Sequence, residues 1–411
     1  MTKEAGRVQR IVLAYSGGLD TSAAIPWLRE RMGAEVVAVT LDLGQGRELA
    51  DVRERALALG AVRAHVIDAR DEFVRDYILP ALQAGAVYED RYLLATALGR
   101  PLIAKRLIDM ARMEGASAVA HGCRGNENDQ VRLDVSLRAL DPALALVDAA
   151  GEVGMSREAL AGYARAHGID PALPEGPYRT DTNLWGRSIA FGALDDPWTE
   201  PPEDVYTLTR AARDCPDEPA VIEIEFEAGV PVRSNGIEMS MLEMIESLET
   251  IAGAHGVGRI DMIENRLAGL KSREVYEAPS AVVLHAAHRE LESLVITRDL
   301  ERVKHTLART YADLVYNGLW FSHARKAIDA FVAVIQARVT GVVRLKLFKG
   351  DCRVVGRRSP NAVHEREPGT HWVGEALGRG DGRGFVKVWQ PSAGADRPAP
   401  AAASRQTSLE P

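Results

Sequence analysis

Apolar residues in the first part of the chain arrive in short unbroken runs separated by longer stretches with helical spacing. "VQRIVLAY" at 8–15 reads as a buried strand, "TSAAIPWLRERMG" as a helix closed by Gly33, and "AEVVAVTLDLG" as a second strand. "ELADVRERALALG" predicts another helix ending at Gly60, and "VRAHVIDA" a third strand. "PLIAKRLIDMARMEGA" followed by "SAVAHG" repeats the helix-then-strand order. Runs apolar on both sides, alternating with helices, predict a parallel sheet covered on both faces, with its ligand crevice at the carboxyl ends of the strands.

The pattern changes at the proline-rich "GIDPALPEGPYRTDT", which predicts a domain boundary near residue 170. Beyond it, "PAVIEIEFEAGVPV" alternates with period two, as an antiparallel strand pair does. Two amphipathic helices are expected at about 284–295 and 300–316, then a helical "AIDAFVAVIQARV" and short strands at "GVVRLKLFKG", "CRVVGRR" and "GFVKVWQ". The expected organisation is an α/β nucleotide-binding domain over 1–170 and an α+β domain over 171–390. A tail over 391–411, rich in Pro, Ala and Ser, carries too little apolar surface to order itself.

Composition narrows the function classes. The chain has 411 residues and a formal charge of -8, so no net positive field invites nucleic acid or an anionic membrane. The three cysteines, Cys123, Cys215 and Cys352, lie far apart, which argues against a disulfide framework or a zinc site and for a reducing, cytoplasmic setting. The segment before the first strand is polar and short, unlike a signal peptide, and no apolar run is long enough to span a bilayer.

The chemistry concentrates in "AYSGGLDTS" at 14–22, placed between the first strand and the first helix. Glycines let the backbone approach an anion, and a helix N-terminus adds positive potential, so the loop suits phosphate. Gly17 and Gly18 would present N–H groups, Ser16, Thr21 and Ser22 hydroxyls, and Asp20 could hold Mg²⁺ between phosphate oxygens. The lysine of a γ-phosphate-transfer loop is missing. The same residues, taken alone, would also suit a tight turn with Thr21 or Ser22 as a helix cap.

S-G-G-x-D-[ST] resembles the pyrophosphate loop of the ATP-pyrophosphatases, which split ATP into AMP and pyrophosphate. Sulfur-transferring tRNA members bring cysteine pairs and basic regions, and glutamine-dependent members an amidotransferase domain, neither of which is evident here. With "HGCRGNENDQVRLD" at 121–134, "NLWGRSI" at 183–189 and "GVGRIDMIENRLAGLKSREVYEAP" at 256–279, the chain from about residue 8 to about 389 resembles the argininosuccinate synthases. That resemblance implies an N-type ATP-pyrophosphatase domain and an ATP-dependent ligase that joins citrulline and aspartate through an adenylate. It implies ATP contacts at Ala14, Tyr15, Ser16, Gly17, Gly18, Leu19, Asp20, Thr21, Ser22, Leu41 and Gly122. It implies acceptor contacts at Tyr92, Ala97, Asn128, Arg132, Arg179, Ser188, Glu264 and Tyr276, and aspartate contacts at Arg124, Asn128 and Asp129. Asp20, Asp129 and Arg132 are the expected catalytic groups, His121 and Cys123 are read as structural, and the expected partners are small amino-acid substrates and further copies of the chain in a tetramer or dimer.

Departures from the family pattern accompany the resemblance. Arg124, Asn126 and Glu127 stand where the family has Thr, Lys and Gly, while Ala97 and Arg179 occupy citrulline-contact positions that usually carry hydroxyls. The tail replaces a family helix that clasps a neighbouring subunit. These substitutions raise two other expectations: a paralogue coupling another acceptor and amine, or a nucleotide-binding protein with impaired catalysis.

Overall fold

The computed structural model describes residues 9–46, 49–123, 128–171 and 177–363. The expected strand at 384–390, the tail, and Arg124, Asn126 and Glu127 lie outside the described residues. The described residues belong to one compact unit that extends to Val363.

The first half alternates as its hydrophobic pattern requires. Strand β1 (Arg10–Ala14) leads into helix α1 (Leu19–Met32), β2 (Glu35–Asp42), α2 (Leu49–Ala58) and β3 (Arg63–Asp68). Two short helices, α3 (Arg70–Phe73) and α4 (Leu79–Ala84), are joined by a wider π turn at Val74–Ile78. Then come α5 (Ala95–Glu114), β4 (Ala118–His121), α6 (Asn128–Leu140), β5 (Ala145–Asp148), α7 (Ala149–Val153) and α8 (Arg157–Ala166).

The five strands form a parallel sheet in the order β3-β2-β1-β4-β5. Period two sends Ile11 and Leu13 to one face, against Ile25 and Leu28 of α1, and Val12 to the other, in the core that includes Leu102 and Leu107 of α5. Both faces are therefore buried, which is why these strands read as continuous apolar runs. Gly33, at φ 62°, closes α1 in the left-handed conformation that a helix C-cap favours. Strand order reverses at β1, whose neighbours β2 and β4 are reached by opposite crossovers, so a crevice opens above the carboxyl ends of β1 and β4.

The remainder is antiparallel. Strands β6 (Arg179–Asn183), β7 (Gly186–Ala190), β11 (Arg259–Asn265) and β12 (Lys271–Glu277) form a sheet in the order β11-β12-β7-β6. Strands β8 (Ala220–Glu227), β9 (Val230–Ser234), β10 (Ile237–Glu238), β13 (Gly341–Phe348) and β14 (Asp351–Arg358) form a second, in the order β10-β9-β8-β13-β14. The predicted alternation of "PAVIEIEFEAGVPV" is the β8–β9 hairpin, with Ile222, Ile224 and Phe226 buried.

Helix α9 (Met241–Ala254) starts at a capping box in which Ser240 and Glu243 bond reciprocally. The two expected amphipathic helices are α10 (Pro279–Val295) and α11 (Arg298–Tyr316), followed by α12 (His323–Gln336). Helix α10 begins earlier than its periodicity suggested because Pro279, with its preset φ, occupies the first turn. Among the described residues no helix is long and apolar enough to cross a membrane.

Candidate active site

The loop after β1 sits at the crevice where strand order reverses. Tyr15 N donates to Val39 O at 2.9 Å and Thr40 Oγ1 donates to Tyr15 O at 2.8 Å, tying the loop to β2 just before Leu41. Gly17 adopts φ 76°, where a side chain is strained, and its carbonyl accepts a 2.9 Å bond from Arg55 Nη1 of α2. Gly18 caps α1 without a side-chain bond, so the Thr21 or Ser22 cap considered from sequence does not form.

The Ser16 and Thr21 hydroxyls lie 3.1 Å apart, and Leu19 and Thr21 are buried at the start of α1. The Ser22 hydroxyl, expected to reach phosphate, is instead fully buried and bonded to Tyr15 Oη at 3.1 Å. One helical turn on from Gly18, it points beneath the loop. Across the crevice, Gly122 at the end of β4 packs so tightly on α1 that a Cβ there would lie 2.7 Å from Thr21 Cγ2. The loop and Gly122 thus follow the carboxyl ends of the adjacent strands β1 and β4, and among the described residues no group of three or more acidic, His or Cys side chains could hold a metal.

A cavity lies on one face of the β11-β12-β7-β6 sheet. Register sets its wall: Asp181 pairs with Ser188, and Ser188 with Tyr276, across three strands. Period two then adds Arg179, Ala190 and Glu274 to the same face, while Glu264 stands beside Ser272 on β11. Opposite the sheet are Tyr92 from the turn before α5, Thr96 from the start of α5, and Asn128, Asp129 and Arg132 from the first turns of α6. Spacings of three and four residues place Asp129 and Asn128 next to Arg132. Seven of the eight expected acceptor residues therefore line one cavity: Tyr92, Asn128, Arg132, Arg179, Ser188, Glu264 and Tyr276.

Ala97 does not line it. The residue is buried in α5 with its N–H toward Tyr92 Oη at 3.4 Å, and Thr96, one position earlier, faces the cavity. Tyr92 arrives on a turn in which Glu89, Asp90 and Leu94 all have positive φ, at 50°, 59° and 64°. Three non-glycine residues held there indicate a backbone whose shape is imposed by its surroundings.

Charge is tightly organised in this cavity. Arg132 Nη1 donates to Asp129 at 3.0 Å, and Arg100 donates to both Asp129 and Asp181. Burial pushes the Asp129 carboxyl up, but Arg100 and Arg132 outweigh it and hold the group well below the usual carboxylate range, with Arg179 adding to the effect. Glu264 accepts from Tyr316 Oη at 2.5 Å, from Tyr276 Oη, and from Asn128 Nδ2 at 3.4 Å. Burial, and then the Glu264 charge, push the Tyr316 phenol up.

Burial and the nearby Glu264 raise the Glu274 carboxyl to about 7. Arg132 Nη2 is buried without a hydrogen-bond partner among the described residues. A buried guanidinium nitrogen with no acceptor, on a residue that lines a cavity, is costly unless an anion or water completes it.

His121 is buried and bonded to Asp134 at 2.7 Å, the structural place expected for it; burial opposes its charge, but Asp134 and Cys123 raise it to about 10. The sequence reading passed over Thr96, Arg100, Asp181, Arg266, Glu274 and Tyr316. Period two in "RTDT" and "REVYE" carries the signal for Asp181 and Glu274; nothing in the sequence pointed to Tyr316.

The comparisons with known proteins agree with this geometry. The arginosuccinate synthase N-terminal HUP domain matches residues 10–170, and the arginosuccinate synthase C-terminal domain residues 178–394. The argininosuccinate synthase of Acaryochloris marina is 50% identical over 93% of this chain and 97% of its own length. That of Trichodesmium erythraeum is 52% identical over 93% of this chain and 96% of its own. Among solved structures, the NAD+ synthetase of Burkholderia pseudomallei aligns with 41% of this chain and 64% of its own at TM-score 0.27 and 23% identity, too loosely to carry weight. Two matched models spanning most of the chain, and relatives at about half identity over nearly all of it, establish that this chain belongs to the argininosuccinate synthase family.

Proposed function

We propose that this protein condenses L-citrulline with L-aspartate, splitting ATP to AMP and pyrophosphate. The observation that carries this reading is the meeting of seven expected acceptor residues in one cavity, in a chain that also has a glycine loop at the reversal point of its parallel sheet.

A ureido carbon is a weak electrophile because nitrogen lone pairs feed it, and its oxygen leaves poorly. Attack of that oxygen on the α-phosphorus expels pyrophosphate and turns the oxygen into part of a good leaving group, AMP. The aspartate amine, once deprotonated, then displaces AMP. Such chemistry asks for positioning and charge neutralisation more than for a covalent intermediate with the protein.

In this reading the backbone N–H groups around Gly17 and Gly18 receive the phosphates, and the close approach of Gly122 to α1 shapes the nucleotide crevice. Magnesium would arrive with the nucleotide and be held chiefly by phosphate oxygens, with Asp20 beside it. Arg132 Nη2 suits the acceptor's carboxylate and Glu264 its ammonium. Asp129, kept ionised by its arginine neighbours, suits the ammonium of the incoming aspartate. Arg179 occupies the rim of the cavity where the family pattern has a hydroxyl. The enzyme is expected to work in the cytoplasm, where its cysteines stay reduced, and as a homo-oligomer.

The test is incubation of the protein with ATP, Mg²⁺ and citrulline, with and without aspartate, following AMP, pyrophosphate and the joined product. Argininosuccinate formed only with both amino acids supports the reading. Pyrophosphate release with other acceptors but not citrulline, or no ATP cleavage at all, overturns it.

A further inference from the structure

Tyr316, the last residue of α11, is distant in sequence from every expected site residue, yet it hydrogen-bonds to three of them. Its hydroxyl donates to Glu264 Oε1 at 2.5 Å and accepts from Asn128 Nδ2 at 2.7 Å. Its carbonyl accepts from Arg132 Nε at 2.7 Å, and the Arg132 guanidinium lies 4.5 Å from its ring centroid. On the other side, Tyr88 stacks on the ring with centroids 3.6 Å apart, and Tyr88 Oη donates to Asn265 O at 2.8 Å. The residue is 1% exposed. Carboxylate, amide and guanidinium thus come from a strand and a helix that share no backbone hydrogen bonds, and one phenol joins them.

We propose that Tyr316 is a positioning residue for the acceptor subsite, setting the orientation of Glu264, Asn128 and Arg132 without itself meeting the reacting atoms. The proposal rests on reading that cavity as the acceptor subsite. A phenol does this better than an aliphatic residue for three reasons. Its hydroxyl donates and accepts at once, its ring face carries a cation, and its two torsions, stacked on Tyr88, leave little freedom to lose. Hydrogen bonds to charged groups are the stronger kind, so loss of the hydroxyl should be felt by Glu264 first.

Tyr316→Phe keeps the ring and the backbone carbonyl and removes only the hydroxyl. The expected result is a citrulline KM raised roughly tenfold or more, an ATP KM changed less than about twofold, and a thermal midpoint close to that of the parent. The double variant Tyr316→Phe with Glu264→Gln should lose less citrulline affinity, by calorimetry, than the sum of the two single changes, because Tyr316 acts in part through that carboxylate. Tyr88→Phe, which keeps the stack and removes a hydroxyl directed elsewhere, should leave the citrulline KM near that of the parent. An unchanged citrulline KM in Tyr316→Phe overturns the proposal. So does an equal rise for citrulline, aspartate and ATP, or full additivity in the double variant. Should the parent protein show no citrulline-dependent pyrophosphate release, the functional reading fails, whereas a parent that turns over citrulline and an indifferent Tyr316→Phe sinks only the positioning role.

Discussion

At the scale of single residues, the cavity shows how position sets the behaviour of chemically identical groups. Asp129 and Glu274 are both half-buried carboxylates, yet Asp129 faces two guanidinium groups and stays charged, whereas desolvation and Glu264 raise Glu274 to about 7. Between pH 6 and pH 8 Glu274 therefore loses its proton in a cavity that also holds Glu264, Arg266 and Asp129. A substrate ammonium gains from that extra negative charge. We expect the citrulline KM to fall as pH rises through about 7, and Glu274→Gln to flatten the profile; steady-state kinetics across pH 6–8.5 will show it.

The sign for stability is the opposite. A carboxyl whose pKa is raised on folding contributes stability below its unfolded pKa and loses it as pH rises through about 7. Glu274→Gln should thus raise the thermal midpoint at pH 8, by the equivalent of about 3 kcal/mol at most, and leave it nearly unchanged at pH 4.5. At this scale the sequence was legible where a motif named the residue and silent where only a face did. Asn128 and Asp129, named by the resemblance, start α6. Glu264, also named by the resemblance, is 3% exposed on β11.

At the scale of elements, the crevice depends on how closely the end of β4 approaches the start of α1. A Cβ at position 122 would lie 2.7 Å from Thr21 Cγ2 and 3.5 Å from Thr21 N, so the branched side chain cannot simply swing aside. Gly122→Ala should introduce about 1–3 kcal/mol of local strain and raise the ATP KM more than the citrulline KM. Adding Thr21→Ser, which deletes the methyl in conflict, should recover most of the loss; an ATP KM insensitive to both variants would remove Gly122 from the nucleotide crevice. Helices and strands of the parallel sheet were readable because continuous apolar runs and helical spacing differ clearly. The row Asp181, Ser188, Tyr276 was not, since strand register depends on pairing partners far apart in sequence.

At the scale of the whole molecule, the cavity exists because the β11-β12-β7-β6 sheet is held against the parallel-sheet half. Trp185 is fully buried and its indole N–H donates to Leu93 O at 2.9 Å, Asn183 Nδ2 donates to Ala95 O at 2.8 Å, and Leu184 N donates to Leu43 O at 2.8 Å. Trp185→Ala should cost about 3–5 kcal/mol in denaturant unfolding and weaken citrulline binding even though the residue does not line the cavity; stability within about 1 kcal/mol of the parent would show that this docking does not depend on the indole. What the sequence determined by itself was the alternation that builds the parallel sheet, the glycine loop at the head of its first helix, and the family, because these are written in neighbouring residues and short-range spacing. Only the tertiary structure decided which hydroxyls of that loop face outward, that Thr96 rather than Ala97 meets the cavity, and that Tyr316 ties its acidic and basic groups together. Those outcomes depend on which surfaces are brought into contact, and that is settled by packing between segments far apart in the chain.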